Sequence, residues 1–378
     1  MKPLYFDYMA TTPLDPHVLE VMLYYMGLEG HFGNASSKHA YGKVAACAIA
    51  KARGQVASVI GANPEGLVWT SGATESNNLA LLGAAHFYKR QGQHVVTMAT
   101  EHRAVLDACA QLARLGFEIT YLKPKADGLL ALDELERSLR SDTILVSVMQ
   151  VNNETGVVQN IEQIGALLKN RGILFHVDAA QSVGRVAVDV ASSNVDLMSL
   201  SAHKSYGPQG VGALYVRQKP RIRLQPQLFG GGQQMGLRSG TLPVHQIVGM
   251  GEAFELAQSL YKEESARILS LRNALWAGIC DLPGVVLNGS VSERVAGTLN
   301  VCFQGMSGVA LMEACPDLAM SATAACSASS LAPSHVLRAM GFSDTWAKSS
   351  VRLSLGRFTT QEEVNQAKTI LRGVFKDD

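Results

Sequence analysis

The stretch "VDLMSLSAHKSYGPQGVGALYVR", from Val195 to Arg217, places one lysine, Lys204, between two apolar runs typical of strands. Ser, Ala and Gly surround this lysine, with a histidine before it and turn-forming residues after it. At a strand end, the long side chain of a lysine often serves only to bring its ammonium group to water. A buried lysine with a lowered pKa, in contrast, is a common Schiff-base nucleophile. The residues at the other strand ends decide between these two interpretations.

Strand-like runs alternate with helical patterns on both sides of this stretch. The helical segments carry apolar residues three and four positions apart. The alternation predicts an α/β fold, a mainly parallel seven-stranded sheet covered by helices, with the active site at the carboxyl ends of the strands. The predicted strands are "GLVWTSG", "HVVTMA", "EITYLK", "TILVSVM", "ILFHVDA", "DLMSLSA" and "GALYVR".

The alternation ends near residue 217, and a long helical segment follows from Gln246. Two strand-like runs, "GTLNVCF" and "VRLSLG", come after that segment. We predict a large domain over residues 14–258. Residues 1–13 and 259–378 are expected to form a smaller α+β domain.

Composition excludes several classes of protein. The 378 residues are 47% hydrophobic and 17% charged with a net charge of +1, which allows a large core and indicates neither a nucleic-acid nor a membrane surface. The six cysteines form no CxxC pair or zinc-finger spacing. No run approaches the roughly 20 apolar residues of a membrane span, and the N-terminus lacks a signal-peptide pattern. We expect a cytoplasmic protein with reduced thiols, no metal site, no membrane contact and no direct nucleic-acid binding.

Four further strand ends carry polar groups. Asp178 follows "FHV" and is either a helix cap or an acidic partner for a pyridine nitrogen, with Gln181 placed to donate to a phenolic oxygen. "TSGATESNN" joins a strand to a helix start that suits a phosphate, with Thr74 adding a hydroxyl, although any capped helix looks similar. His102 in "TEH" is either structural or a ring stacked on a flat cofactor, and Asn152 and Asn153 are either a turn or an amide for the site. Together with Lys204, these groups favour pyridoxal phosphate.

Eight segments also resemble the cysteine desulfurases of the NifS/IscS type, class V members of the fold-type I pyridoxal-phosphate enzymes. The resemblance runs from about Tyr5 to about Thr360, nearly the whole chain. It is carried by "YFDYMATTP", "TSGATESNN", "TEHRAVLD", "VNNETGVVQ", "HVDAAQSVG", "SLSAHKSYGPQGVGALYVR", "RSGTLPVHQIVGMGEA" and "VRLSLGRFT".

The resemblance implies a role for each matching residue. Lys204 would carry the cofactor, Asp178 would meet its pyridine nitrogen, Gln181 its phenolic oxygen, and His102 would stack on its ring and carry protons. Ala73, Thr74, Ser201 and His203 would bind the phosphate, and Thr241 would reach the phosphate of the partner subunit of a homodimer. Asn153, also near the cofactor, and Arg352 would hold the substrate, since a guanidinium binds a carboxylate bidentately; an arginine there is otherwise a surface residue.

A cysteine separates desulfurases from aminotransferases that share this cofactor. By the resemblance, Cys326 in "ACSASSLAPS" is the persulfide-forming cysteine of a group I desulfurase. The sequence before it reads "ATAA", where the family usually has Ser-Gly-Ser-Ala, and we expect slower sulfur transfer because the glycine is lost. The chain also ends soon after its last helix, whereas many relatives carry a longer tail that docks an iron–sulfur scaffold protein. Cys47, Cys109, Cys280 and Cys315 are expected to serve packing, like Cys302.

The predicted function is conversion of L-cysteine to L-alanine with sulfur transferred as a persulfide on Cys326. The expected acceptors are iron–sulfur scaffold proteins or a tRNA-thiolation relay. Three alternatives stay open at this point: a selenocysteine lyase or another class V enzyme, a desulfurase dedicated to DNA or tRNA sulfur modification, and a protein that keeps the fold only as an interaction scaffold.

Overall fold

The computed structural model describes residues 2–322 and 332–375, which form thirteen strands and eleven α-helices. The strands are β1 Leu4–Tyr5, β2 Leu67–Thr70, β3 His94–Met98, β4 Glu118–Leu122, β5 Thr143–Met149, β6 Leu174–Asp178, β7 Leu197–Ser201, β8 Gly212–Val216, β9 Val285–Leu287, β10 Thr298–Phe303, β11 Leu318–Ala319, β12 Ser321–Ala322 and β13 Ser350–Ser354. The helices are α1 Pro16–Leu23, α2 Ala40–Val59, α3 Ala73–Tyr88, α4 Arg103–Arg114, α5 Leu132–Ser138, α6 Ile161–Lys169, α7 Val244–Ala277, α8 Gly308–Ala314, α9 His335–Ala339, α10 Asp344–Lys348 and α11 Gln361–Gly373.

The central sheet contains the seven predicted strands, in the order β2-β8-β7-β6-β5-β3-β4. Strands β3 to β7 are parallel, and β8 is antiparallel to both β7 and β2, so that β2 points the same way as β7. The inner strands are buried at every position or nearly so, as expected when helices cover both faces of a sheet. The predicted α/β fold is therefore confirmed.

Helices pack on the sheet through apolar stripes. Helix α4 buries Ala104, Val105, Ala108, Cys109 and Leu112, a spacing that places them on one face. The largest hydrophobic cluster contains α2, one face of the sheet and the first half of α7, while a second cluster lies on the opposite face of the sheet.

A smaller unit follows the central sheet. Strands β12-β13-β10-β9 form a four-stranded antiparallel sheet, and β1 pairs with β11. Its hydrophobic cluster combines Phe6, the second half of α7 (Leu271 and Leu275), and residues up to Leu371 in α11. The N-terminal segment thus packs on this unit. None of the helices in the described ranges is both long enough and apolar enough to cross a membrane.

Candidate active site

A cavity of about 550 Å³ lies at the carboxyl ends of the central strands. Because β2, β3, β5, β6 and β7 all point towards this edge, their following loops meet there. The cavity brings together ten of the predicted site residues: Ala73, Thr74, His102, Asn153, Asp178, Gln181, Ser201, His203, Lys204 and Arg352. Ser71 and Gly72 of the β2–α3 turn, which carries the predicted phosphate site, also line it.

The N-terminus of α3 forms one wall of the cavity. Its N-cap residue, Gly72, makes no side-chain cap, so the first backbone N–H groups of the helix receive no capping oxygen. Gly72 has φ +151°, and an added Cβ at Gly212 on β8 would lie 2.6 Å from the Cα of Gly72. This close approach holds an uncapped helix start against the cavity, which is an arrangement suited to a phosphate.

Asp178 is buried at the end of β6 with both carboxylate oxygens occupied. Oδ2 accepts a hydrogen bond from Asn77 Nδ2 at 2.7 Å, and Oδ1 accepts from the backbone N–H of Ala180 at 3.0 Å. The second contact closes a local turn, and since no helix begins in the fully described segment between β6 and β7, the alternative interpretation as a helix cap is not met. The first contact fixes the carboxylate against α3. Asp178 is therefore oriented, buried and able to face a cationic ring nitrogen.

His102 caps α4 and also lines the cavity. Its Nδ1 accepts a hydrogen bond from Ala104 N at 3.1 Å, so the neutral ring carries its proton on Nε2. Both sequence interpretations of His102, structural cap and ring within the site, consequently apply. Glu101 before it is fully buried beside Asp178, and burial raises the pKa of its carboxyl well above the usual range.

Lys204 donates from Nζ to the carbonyl oxygens of Met9 and Ala10, at 2.9 and 2.7 Å. Burial, followed by Arg352 and Arg185, lowers the pKa of Lys204 to about 8, against smaller opposing effects of Asp7 and Asp178. A large fraction of this lysine is therefore the neutral, nucleophilic amine near pH 8.

The neighbours of Lys204 are held in fixed positions. His203 Nδ1 lies 3.0 Å from Thr11 Oγ1, and burial, Lys204 and Arg185 lower the pKa of His203 to about 4. Gln181 donates from Nε2 to the Met9 carbonyl at 2.8 Å, which leaves its second Nε2 proton for the phenolic oxygen predicted above.

The opposite side of the cavity carries a second cationic group. Arg352 on β13 donates to the carbonyl oxygen of Asn153 at 2.6 Å and forms an ion pair with Asp7 at 2.6 Å. It is a buried arginine that lines the cavity, not a surface residue. Its guanidinium suits the carboxylate of an α-amino acid.

Two predicted residues remain. Thr241 is exposed and is not among the residues that line the cavity of its own chain. Cys326 lies outside the described residues. Two other expectations are wrong: Cys47 and Cys280 are exposed and do not serve packing, whereas Cys109, Cys302 and Cys315 are buried.

Several residues of the site were not predicted individually. Asn77 holds Asp178, Asp7 holds Arg352, and Glu154 in the cavity wall accepts a hydrogen bond from Ser334 at 2.5 Å. Burial raises the pKa of Glu154 to about 7, with opposing effects of Ser334 and Arg352. Each of these residues lies inside a motif quoted above, but its hydrogen-bond partner is distant in the chain. The spacing of residues within a motif does not predict such pairs.

The donor set fits pyridoxal phosphate. An uncapped helix start, a buried oriented aspartate, a histidine ring and a lysine with a lowered pKa surround one cavity. These are the groups needed for a phosphate, a pyridinium nitrogen, a ring face and a Schiff base, respectively. Among the residues that the structure describes, no cluster of histidine, cysteine or acidic side chains could hold a metal ion.

Known proteins share this sequence and architecture. Residues 4–367 match the family model "Aminotransferase class-V". The protein named "Cysteine desulfurase IscS" of Aeromonas hydrophila is 56% identical over 371 residues, 98% of this chain and 92% of that protein. The "Cysteine desulfurase IscS" of Klebsiella pneumoniae is 54% identical with the same coverage.

Solved structures show the same fold. A "NifS-like protein" superposes with a TM-score of 0.92 at 34% identity, over 98% of this chain and 99% of that chain. A structure described as "SspA in complex with cysteine" has a TM-score of 0.83 at 38% identity, over 94% and 99% of the two chains. DndA from Streptomyces lividans has a TM-score of 0.80 at 40% identity, over 92% and 98%.

Proposed function

The chain belongs to the class-V aminotransferase family, in which it groups with the cysteine desulfurases of the NifS/IscS type, and we propose that it removes sulfur from L-cysteine and releases L-alanine. The enzyme depends on pyridoxal phosphate, which when bound supplies an electron sink for the carbanion at Cα. The observation that carries the proposal is the placement of Lys204, Asp178 and Arg352 around one cavity.

Lys204 has two tasks in this proposal. Its lowered pKa would supply the neutral amine that could hold the cofactor, and a free neutral amine at this position would accept the α-proton of the substrate. The carbonyl oxygens of Met9 and Ala10 hold Nζ at this position. Asn77 and the Ala180 N–H hydrogen-bond to the Asp178 carboxylate and would orient it towards the pyridine nitrogen.

The substrate is oriented by its carboxylate. Arg352 binds the carboxylate, and Asn153, whose backbone carbonyl holds the guanidinium, lies beside it. His102 is the candidate for moving a proton at the substrate. Its Nδ1 accepts the N–H of Ala104, which leaves the proton of the neutral ring on Nε2. The Cys326 thiolate then takes the substrate sulfur: its S–S bond forms as the C–S bond breaks, and the Cα/Cβ skeleton leaves as alanine after protonation.

The finer parts of the function are proposals as well. We propose a cytoplasmic homodimer in which Thr241 completes the phosphate site of the partner subunit. We further propose that the Cys326 persulfide passes to acceptor proteins, either an iron–sulfur scaffold or a tRNA-thiolation relay. The name "Cysteine desulfurase IscS" of the relatives supports the reaction.

The first experiment measures alanine and sulfide made from L-cysteine by the purified protein. Wild type should release alanine in proportion to sulfur transferred to a thiol acceptor. Lys204→Ala should abolish alanine formation, and Cys326→Ser should reduce it to background, because sulfur has no acceptor. The matched control is Cys47→Ser, which removes an exposed cysteine outside the cavity and should leave the rate unchanged.

Other outcomes have defined meanings. Full alanine release by Cys326→Ser would show that Cys326 is not the sulfur acceptor. A wild-type protein that binds pyridoxal phosphate but makes no alanine from L-cysteine would contradict the desulfurase proposal, and selenocysteine would be the next substrate to test.

A further inference from the structure

Arg352 is held by a partly buried carboxylate from the N-terminal segment of the chain. Asp7, just after β1, bridges to Ser354 on β13 and thus lies beside Arg352. Arg352 Nη2 lies 2.6 Å from Asp7 Oδ1 and 3.1 Å from Ser321 Oγ, and Ser321 Oγ donates to Asp7 Oδ2 at 2.9 Å. Only 9% of the Arg352 side chain and 18% of the Asp7 side chain is exposed.

The hydrogen bonds of Arg352 show which donors are free. A guanidinium has five N–H donors in a fixed fork. In this structure Nη2 donates to Asp7 and Ser321, Nη1 donates once to the Asn153 carbonyl, and Nε has no partner among residues 2–322 and 332–375. Two N–H groups, on Nε and Nη1, are thus available to a ligand, as single contacts because they lie on different edges of the guanidinium.

Asp7 contacts this arginine without lining the cavity. Arg352, Asn153 and Ser321 line the cavity, whereas Asp7 is absent from the lining. A carboxylate that pairs with a ligand-binding guanidinium fixes the plane of the guanidinium and balances its charge, as outer-shell partners do for other binding groups.

We propose that Asp7 is the positioning residue that orients Arg352 for the substrate carboxylate, an inference that rests on the proposed function. Asp7 does not touch the substrate; it acts through Arg352. Two physical effects oppose each other here. Loss of Asp7 releases the guanidinium plane and weakens the contact of Arg352 with the substrate carboxylate, but it also removes a negative charge that competes for the same arginine. In our proposal, the loss of guanidinium orientation has the larger effect, so that L-alanine binds more weakly without Asp7.

The experiment compares two ligands that differ in the carboxylate alone. L-Alanine and ethylamine share the amine and the methyl group, and their binding to the holoenzyme is followed by the absorbance of the bound cofactor. Asp7→Ala should weaken L-alanine binding on the order of tenfold and leave ethylamine binding unchanged. Asp7→Asn, which keeps one acceptor oxygen, should fall between Asp7→Ala and wild type.

Two controls test that the effect passes through Arg352. Asp15→Asn changes another largely buried aspartate of the N-terminal segment, which pairs with Arg357 and caps α1; asparagine is an equally good cap, so L-alanine binding should match wild type. In an Arg352→Gln background, Asp7→Ala should have no further effect on L-alanine binding.

The direction in which Asp7→Ala changes the affinity for L-alanine decides whether the inference holds. Tighter binding of L-alanine by Asp7→Ala would show that Asp7 competes for Arg352, and equal weakening of both ligands would show general damage to the site; either result overturns the proposal. Because the titration needs no turnover, it stays informative if L-cysteine yields no alanine, a result that contradicts the proposed function alone.

Discussion

Lys204 shows how a single side chain is adapted to its chemistry. Its ammonium would be strongly hydrated in water, but here two backbone carbonyls, of Met9 and Ala10, replace part of that hydration. Burial and the nearby Arg352 and Arg185 still disfavour the charged form. The lysine is therefore poised between ammonium and amine close to neutral pH, which suits a group that both bonds to a cofactor and takes a proton.

The lowered pKa predicts a pH dependence of stability in the apoenzyme. Between pH 8 and 10.5 the unfolded chain holds more protons at Lys204 than the folded chain, so stability should rise with pH through this window. Relative to Lys204→Met, wild type should gain on the order of 2 kcal/mol from pH 8 to pH 10.5. Urea unfolding of both apoproteins across this range measures the difference.

A surface lysine provides the comparison. Lys169 is exposed in the last turn of α6, and a Lys169→Met variant controls for the loss of one lysine at the surface. If the stability of Lys204→Met ran parallel to that of wild type across this pH range, the amine of Lys204 would not be perturbed by folding, and its role as a neutral nucleophile would lose its physical basis.

At the scale of elements, the contact between the start of α3 and β8 shapes the phosphate site. Gly212 on β8 leaves room for Gly72, which begins α3 with a positive φ and no side-chain cap. The Arg238–Glu75 ion pair at 2.8 Å fastens the same helix start to the segment before Thr241. The helix N-terminus is therefore positioned by packing on both sides.

Gly212→Ala should disturb this site specifically. The added methyl would lie 2.4 Å from the Leu200 carbonyl and 2.6 Å from the Gly72 Cα, so the strand and the helix start must separate. We expect a loss of about 1–3 kcal/mol in the free energy of unfolding and weaker retention of pyridoxal phosphate. Thermal unfolding and dialysis against buffer without cofactor measure the two effects.

Gly54→Ala is the matched control, because an added Cβ at this position in α2 meets no atom within 4 Å. A helix-interior alanine should be neutral or stabilise by about 0.5–1 kcal/mol, with cofactor retention unchanged. Equal cofactor loss in both variants would contradict the assignment of the α3 start as the phosphate site.

The large hydrophobic clusters of the molecule divide between two sheets. Two of them cover the faces of the seven-stranded sheet and another lies on the four-stranded sheet. Helix α7 contributes its first half to a cluster of the larger sheet and its second half to that of the smaller sheet. These separate clusters support the proposed division into a large domain and a smaller one. The N-terminal segment links them, since Phe6 belongs to the smaller core while Met9 and Ala10 contact Lys204.

The proposed homodimer is testable by mixing two defective subunits. If Thr241 serves the partner's site, a mixed dimer of Lys204→Ala and Thr241→Ala subunits holds one site with both residues intact. It should regain up to about half of the wild-type activity, while each parent homodimer stays impaired. Co-expression with two affinity tags, followed by the alanine assay, measures this recovery.

The control for subunit mixing is the pair Lys204→Ala and Asp178→Ala, two residues that line the same cavity of one chain. Their mixed dimer holds one damaged residue in each site and should stay inactive. Absence of recovery with the Thr241→Ala subunit would place Thr241 in the site of its own chain, against its position outside that cavity.

Much of this protein follows from local sequence. Most of strands β2 to β8 are short apolar runs bounded by turn residues, predictable because burial on two faces requires a continuous hydrophobic stretch, whereas β4 at the edge of the sheet is partly exposed. The polar residues directly after those strands, such as His102, Asp178 and Lys204, were predictable as a group because parallel strands bring their carboxyl ends together. The sequence by itself therefore determined the sheet, the edge that carries the site and the cofactor chemistry.

Tertiary structure alone decided how those groups are held. Asp7 meets Arg352 across 345 positions of the chain, Lys204 meets the Met9 carbonyl across 195, and Asn77 meets Asp178 across 101. Local spacing carries no information on such pairs, because they form only when separate strands and helices pack. The orientation of Arg352 and the lowered pKa of Lys204 both depend on that packing, since burial and the direction of nearby charges exist only in the folded chain.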